Sequence, residues 1–228
     1  MPQLSIIVPV YNEVKTIRDI IEKLKTLAID KEIIVVNDGS TDGTQRILQG
    51  LSDASVRIVH HSSNRGKGAA VRTGLGQSRG EFVIIQDADL EYDPKDYFLL
   101  LEAMMLEQVD LVLGVRFTER YHGLLLPKLG NRLLTFLMNS LYGARLNDVM
   151  TCYKLFRRST FDTLNIESCG FDIEIEFMAK ALKKKLRIKE IPVSYEPRNY
   201  SQGKRIRIRD GLVAVMAIVR HRLKRLRI

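Results

Sequence analysis

The chain has 228 residues, of which 45% are hydrophobic and 28% charged, enough for one substantial core and too apolar for a disordered protein. Two cysteines, Cys152 and Cys169, exclude a disulfide framework, and no Cys/His cluster has zinc spacing, so a reducing, cytoplasmic setting is expected. The net charge of +9 is uneven: residues 198–228 carry ten basic side chains and one acid, and the rest carries 26 of each. A neutral body with a basic end points to one anionic surface or ligand rather than to nucleic acid, which a uniformly basic surface with interleaved aromatics would suit. Met1 to Ser5 run straight into an apolar segment without a basic region, so no signal peptide is expected. No charge-free stretch approaches the ~18 residues of a membrane span.

In chain order, Leu4–Val10 reads as a strand and Val14–Leu27 as a helix, with Ile17, Ile20, Ile21, Leu24 and Leu27 on one face. Glu32–Asn37 is a second strand, cut by Asp38-Gly39-Ser40, and Thr41 or Asp42 offers a cap for a following helix. Val56–His61 is a third strand, Lys67–Ser78 a helix opened by Gly66 and Gly68, and Glu81–Gln86 a fourth strand. A helix over Pro94–Glu107 and a strand over Asp110–Gly114 follow. Continuous apolar runs joined by helical crossovers predict strands buried on both faces, hence an α/β domain with a mostly parallel central sheet flanked by helices. The second half is less regular. Leu124–Tyr142 is strongly apolar, Cys152–Phe156 and Arg187–Tyr195 read as strands and Glu174–Leu182 as a helix. Ile208–Leu226 reads as a basic amphipathic helix with Leu212, Val215, Met216, Val219, Leu223 and Leu226 on its apolar stripe. Without a linker or repeat, residues 1–228 are expected to form a single domain.

Polar residues gather at the carboxyl ends of the predicted strands: Pro9, Tyr11 and Glu13 at the first, Asp38 at the second, Asn64–Lys67 at the third, Asp87 and Asp89 at the fourth, Arg116 at the fifth. In an open parallel sheet those ends frame the ligand crevice. Asp87-Ala88-Asp89, with Glu91 two residues on, closes a buried strand, where unpaired carboxylates are costly; hard oxygens so placed suit Mg2+ or Mn2+. An ion on two protein carboxylates takes its remaining ligands from water and phosphates, so a nucleoside-diphosphate substrate is implied. Two other motifs fail. Asp38–Gly43 opens like an EF-hand loop, but its twelfth position is Gln49, and Gly66-Lys67-Gly68 lacks the third glycine of a dinucleotide fingerprint.

Four segments in order, Ser5-Ile-Ile-Val-Pro-Val-Tyr-Asn-Glu13, Val36-Asn-Asp-Gly-Ser-Thr-Asp-Gly43, Asn64-Arg-Gly-Lys-Gly68 and Gln86-Asp-Ala-Asp-Leu-Glu-Tyr-Asp-Pro94, resemble the inverting family-2 glycosyltransferases of the GT-A fold. With Tyr195-Glu-Pro-Arg198 and Gly203–Gly211 the chain is most similar to the branch of polyprenyl-phosphate sugar synthases such as dolichol-phosphate mannose synthases. The resemblance implies nucleotide-sugar binding by Pro9, Tyr11, Glu13, Val36, Asp38, Lys67, Asp87, Ala88, Asp89 and Lys204, with metal on Asp87, Asp89 and Glu91. Arg116 and Arg132 match arginines that meet the acceptor or transferred-sugar phosphate. It also implies a donor half (1–116) and an acceptor or membrane-facing half (117–228), with hexose, mannose or glucose, passing from a GDP- or UDP-linked donor to a polyprenyl phosphate. A phosphate acceptor is already anionic at neutral pH and needs arginines more than a base. Asp148 is the base expected if the acceptor were instead a hydroxyl of a glycan or protein. The apolar Leu124–Tyr142 helix, with Lys128, Arg132 and Arg145 near its ends, and the basic tail suit peripheral contact with an anionic membrane; a homodimer through the same helix competes.

Overall fold

The computed structural model describes residues 1–51, 53–116, 125–198 and 208–224. Strand β1 (Leu4–Val10), helix α1 (Ile17–Lys25), β2 (Lys31–Asn37), α2 (Thr44–Gln49), β3 (Val56–His60), α3 (Lys67–Gln77) and β4 (Phe82–Ile85) follow the expected alternation. A 3-10 turn at Pro94–Asp96 leads into α4 (Tyr97–Leu106) and β5 (Leu111–Val115). Then come α5 (Leu125–Tyr142), β6 (Lys154–Arg157), α6 (Arg158–Leu164), α7 (Ile173–Lys183), β7 (Ile188–Pro192) and α8 (Ile208–Leu223). Helix α6 carries no strong periodic signal and escapes the sequence reading.

All seven strands share one sheet, ordered β3-β2-β1-β4-β6-β5-β7. The pairs among β1, β2, β3 and β4 are parallel, as is β5 with β7, while β6 runs antiparallel to both neighbours. Ile6, Ile7 and Val8, Ile33 to Val36 and Leu111 to Leu113 are fully buried, as strands covered on both faces require. β6 lies between β4 and β5, so the expected donor and acceptor halves share a single sheet. Its reversed direction brings its leading segment, 148–153, to the same end as the trailing loops of the parallel strands.

Helix α8 packs on the body through its small residues. In α8 the side chains turned toward the body are Ala214, Ala217, Ile218 and His221, whereas Leu212, Met216, Val219 and Leu223 are exposed. Both sets have helical spacing, but the alanines present little bulk, so α8 can approach α5 and α7 closely on that side. The bulkier residues are left on the outside. In α5, Leu125, Leu126, Leu129, Leu133 and Phe136 are likewise exposed. No helix of the described residues is long and apolar enough to cross a membrane.

This orientation makes a direct prediction for equilibrium urea unfolding. Ile218→Ala removes fully buried methylenes and is expected to cost about 2–4 kcal/mol, whereas Leu212→Ala is expected to change stability by less than about 0.5 kcal/mol. The reverse ranking would show that α8 packs on the body through Leu212 instead.

Candidate active site

The loop after β1 is pinned to the loop after β2. Asn12, in the left-handed region at φ 57°, accepts from the Thr41 N–H at 2.7 Å, and its own N–H donates to Ser40 Oγ at 3.0 Å. The Glu13 N–H donates to Thr44 Oγ1, and Asp42 accepts from both the N–H and the hydroxyl of Thr44 and from the Val14 N–H. The Asp-Gly-Ser-Thr-Asp run is thus a brace that fixes where Glu13 points. Asp38, buried beneath this brace, accepts from the Arg65 and Gly66 N–H groups and pairs with His61 Nδ1 at 2.6 Å, while His61 Nε2 lies 2.9 Å from Thr73 Oγ1. Asp38 therefore holds the loop after β3 rather than offering a free carboxylate.

Gly66 and Gly68 have a different purpose from phosphate binding. Gly66 has φ +93°, and a Cβ on it would lie 2.3 Å from the Cys169 carbonyl oxygen; one on Gly68 would lie 2.4 Å from that of Ser168. The Ala69 N–H, in the first turn of α3, donates to Cys169 O at 3.1 Å. The start of α3 is covered by the segment leading into α7, and this contact places Lys67 beside the acidic motif.

Lys67 Nζ lies 2.7 Å from Asp87 Oδ1 and 3.1 Å from Glu174 Oε1. The wholly buried Lys154 bonds the other oxygen of Glu174 and the Thr151 carbonyl. A chain of alternating charges, Lys154–Glu174–Lys67–Asp87, runs from β6 through α7 to the acidic loop. Burial opposes the Lys67 charge, but Asp87 and Glu174 outweigh it and hold the ammonium well above the usual lysine range. Glu174, in the first turn of α7, is the central link.

On the other side of the motif, Arg198 donates to both oxygens of Glu13 at 3.0 Å and to Asp89 Oδ2 at 3.2 Å. Glu91 accepts from the Arg198 N–H at 2.8 Å and from the Tyr195 hydroxyl. Burial, and the like charges of Asp87 and Glu91, push the Asp89 carboxyl up to about 7 despite Arg198. The cluster is rich in hard oxygen and short of positive charge, which is the chemistry that fits a divalent cation. Among the described residues no three acidic, His or Cys side chains converge as a ready-made metal cage; two carboxylates completed by phosphate oxygens need none.

Arg116, the first residue after β5, makes two bonds of 2.8 Å to the carboxylate of Asp148, which also accepts from Asn131 Nδ2 at 2.8 Å. Burial works against the Asp148 charge, but Arg116 and these bonds hold its carboxyl below the usual range. Glu190 on β7 secures the 147–148 backbone, and the Arg116 guanidinium lies 5.3 Å from the Tyr195 ring centroid. Tyr195 meets Tyr92, which stacks on Tyr153, forming an aromatic wall beside the cleft.

The structure thus gathers Glu13, Lys67, Asp87, Asp89, Glu91, Arg116 and Asp148 at one end of the sheet. Pro9, Val36 and Ala88 are buried, and Tyr11 is exposed. Lys67 is paired with Asp87 and Glu174. Arg132 is exposed on α5, one residue beyond Asn131, and Lys204 lies outside the described residues. Lys154 is an addition, and Tyr195 and Arg198, which enter the sequence reading only as part of a resembling segment, gain roles at the site; the loop after β7, a sixth strand end, is the signal that places them there.

The family model described as glycosyl transferase family 2 matches residues 5–164. The chain belongs to that family. It is 33% identical to the dolichyl-phosphate beta-glucosyltransferase of Dictyostelium discoideum, over 84% of this chain and 66% of that one. It is 29% identical to the polyprenol monophosphomannose synthase of Mycolicibacterium smegmatis, over 87% and 79%. Among solved structures, glucosyl-3-phosphoglycerate synthase from Mycobacterium tuberculosis, in complex with Mn2+, UDP and phosphoglyceric acid, superposes with a TM-score of 0.75 at 18% identity, covering 97% of this chain and 79% of that one. The fold is the GT-A arrangement expected from the motifs, and the protein is a glycosyltransferase.

The raised Asp89 carboxyl gives the site a cost in stability. An acid with a folded pKa near 7 and an unfolded one near ~4 destabilises the fold fully above pH 7, and the penalty fades as pH falls toward 4. Asp89→Asn is therefore expected to stabilise the protein, by about 1–2 kcal/mol at pH 8 and by little at pH 4.5, while removing turnover. Thermal melts at the two pH values, with a turnover assay, check both parts.

Proposed function

We propose that this glycosyltransferase moves a hexose, mannose or glucose, from a GDP- or UDP-linked donor to a polyprenyl phosphate at an anionic membrane surface, with inversion. The observation that carries the reading is the Arg116–Asp148 pair. Asp148, the base that a hydroxyl acceptor would require, is buried with both oxygens spent on Arg116 and Asn131. What the site offers an acceptor is a fixed guanidinium, the group suited to a nucleophile that is already an anion. Similarity to two enzymes named for dolichyl phosphate and polyprenol phosphate chemistry supports the same acceptor class.

In this mechanism Asp87 and Asp89 hold the cation, Mg2+ or Mn2+, with Glu91 close by. When bound, the ion neutralises charge on the departing nucleoside diphosphate. Lys67, itself held by Glu174, keeps Asp87 ionised and in place, and the braced Glu13 fixes the donor side of the cleft. Arg116 holds the acceptor phosphate opposite the leaving group, so that its oxygen attacks the anomeric carbon in line and the configuration inverts. Residues 1–116 supply most of the donor groups, and residues beyond 117 the acceptor groups Asn131, Arg132 and Asp148. Arg132 lies three residues from Leu129 and four from Phe136 along α5, which puts a cation beside exposed apolar side chains. A phosphate headed by a long hydrocarbon has that pattern of needs.

Two experiments test this. Thermal melts with UDP- and GDP-sugars and Mn2+ or Mg2+ are expected to show stabilisation by one donor, about 2.7 kcal/mol at a hundredfold excess over Kd. Arg132→Ala is expected to leave that shift intact while raising the KM for polyprenyl phosphate about 30-fold. Silence from every donor with both ions defeats the proposal.

The membrane assignment is tested by sedimentation with phosphatidylglycerol vesicles. Exposed Leu129, Leu133, Leu212 and Met216, with nearby Lys128 and Arg132, fit an anionic bilayer. Leu129→Asp with Leu133→Asp is expected to release the protein from vesicles without unfolding it. A lipid-indifferent dimer dissolved by the same pair would assign the stripe to self-association instead.

A further inference from the structure

Arg198 enters the acidic cluster from the end of the chain opposite to Glu13 and meets two of its side-chain carboxylates at once. The bidentate bond to Glu13, with both distances at 3.0 Å, is its anchor, and its backbone N–H is separately tied to Glu91 at 2.8 Å. The single bond to Asp89 Oδ2, at 3.2 Å, is the longest of its contacts. Lys67, the other cation near the motif, is occupied on the far side by Asp87 and Glu174. Among the described residues, the positive charge in contact with Asp89 is therefore Arg198.

A divalent ion binds a carboxylate oxygen at about 2.0–2.6 Å through the same lone pairs that accept a guanidinium hydrogen bond. Two cations on one carboxylate oxygen also repel each other. We infer that Arg198 is a built-in competitor for the divalent cation at Asp89. Its guanidinium lets go of Asp89 when the ion binds, and its Glu13 anchor keeps it at the rim of the site. The arrangement makes the cation bind weakly by itself and more tightly together with a nucleoside diphosphate, because the diphosphate brings anionic charge enough for ion and guanidinium together. The inference rests on the metal reading above and adds to it an order of events: ion and nucleotide enter together.

Equilibrium Mn2+ titration of the full chain, followed by the electron paramagnetic resonance signal of free Mn2+, tests it without any turnover. In the absence of nucleotide, Arg198→Gln is expected to bind Mn2+ about 3- to 10-fold more tightly than the unmodified protein. Arg198→Lys, which keeps the charge but cannot span both carboxylates, is expected to show a smaller gain in the same direction, and it carries the test if the glutamine variant fails to fold by its thermal melt. The Arg198→Gln gain is expected to persist in a Glu13→Gln background, which excludes a new site made by the released Glu13, and to vanish with Asp89→Asn. Equal or weaker Mn2+ binding by folded Arg198 variants, or a gain that survives Asp89→Asn, overturns the inference and leaves the metal reading standing. Absence of Mn2+ binding by every variant, with and without UDP or GDP, overturns both.

Discussion

Five carboxylates crowded at one end of a sheet would drive the loops that carry them apart unless positive charge were built in among them. Glu13, Asp87, Asp89, Glu91 and Glu174 are held together by Arg198, Lys67 and Lys154. Unit charges about 4 Å apart interact by roughly 4 kcal/mol at an effective dielectric of 20, so the balance is large against the net stability of a domain. It is also incomplete: Asp89 remains starved of positive charge. A site compensated just far enough to fold, and no further, suits the cation of the proposed function.

The compensating groups come from distant parts of the chain. Lys67 opens α3, Lys154 begins β6, Glu174 lies in the first turn of α7 and Arg198 follows β7. Each is carried to the same end of the sheet by strand direction, and the glycines at 66 and 68 let α3 close against residues 168–169. Folding of the second half therefore finishes a site whose acidic residues lie mostly in the first. Arg116 and Asp148 show the same division: one follows β5, the other precedes β6, and Glu190 of β7 secures the backbone between them.

Much of this was legible in the sequence because it depends on local pattern. Unbroken runs such as Ile33–Val36 mark doubly buried strands, and polar residues at their carboxyl ends mark the cleft. The roles of individual residues were less legible. Asp38 and Lys67 have the types expected of ligand-binding groups, yet their partners lie 23 to 28 and 20 to 107 residues away and turn them toward the protein itself. The periodicity of α8 locates a bulky apolar stripe without saying whether core or surroundings receive it, and the fold leaves that stripe exposed. Arg198 sits in a segment whose basic character points to an anionic surface or ligand, and the fold brings it to Glu13.

The reversed strand has a further consequence, for the order of events during synthesis. β5 is complete at Val115, but its neighbour in the sheet begins only at Lys154, and β4 waits for the same partner. As the polypeptide leaves the ribosome, β1 to β4 can associate early, while β5 has no edge to join until the intervening strand emerges. The seam between the two parts of the sheet closes only once β6 has emerged, and β7 and Arg198 come later still. A nascent chain therefore carries Glu13, Asp89 and Glu91 without their shared partner until most of it has been made.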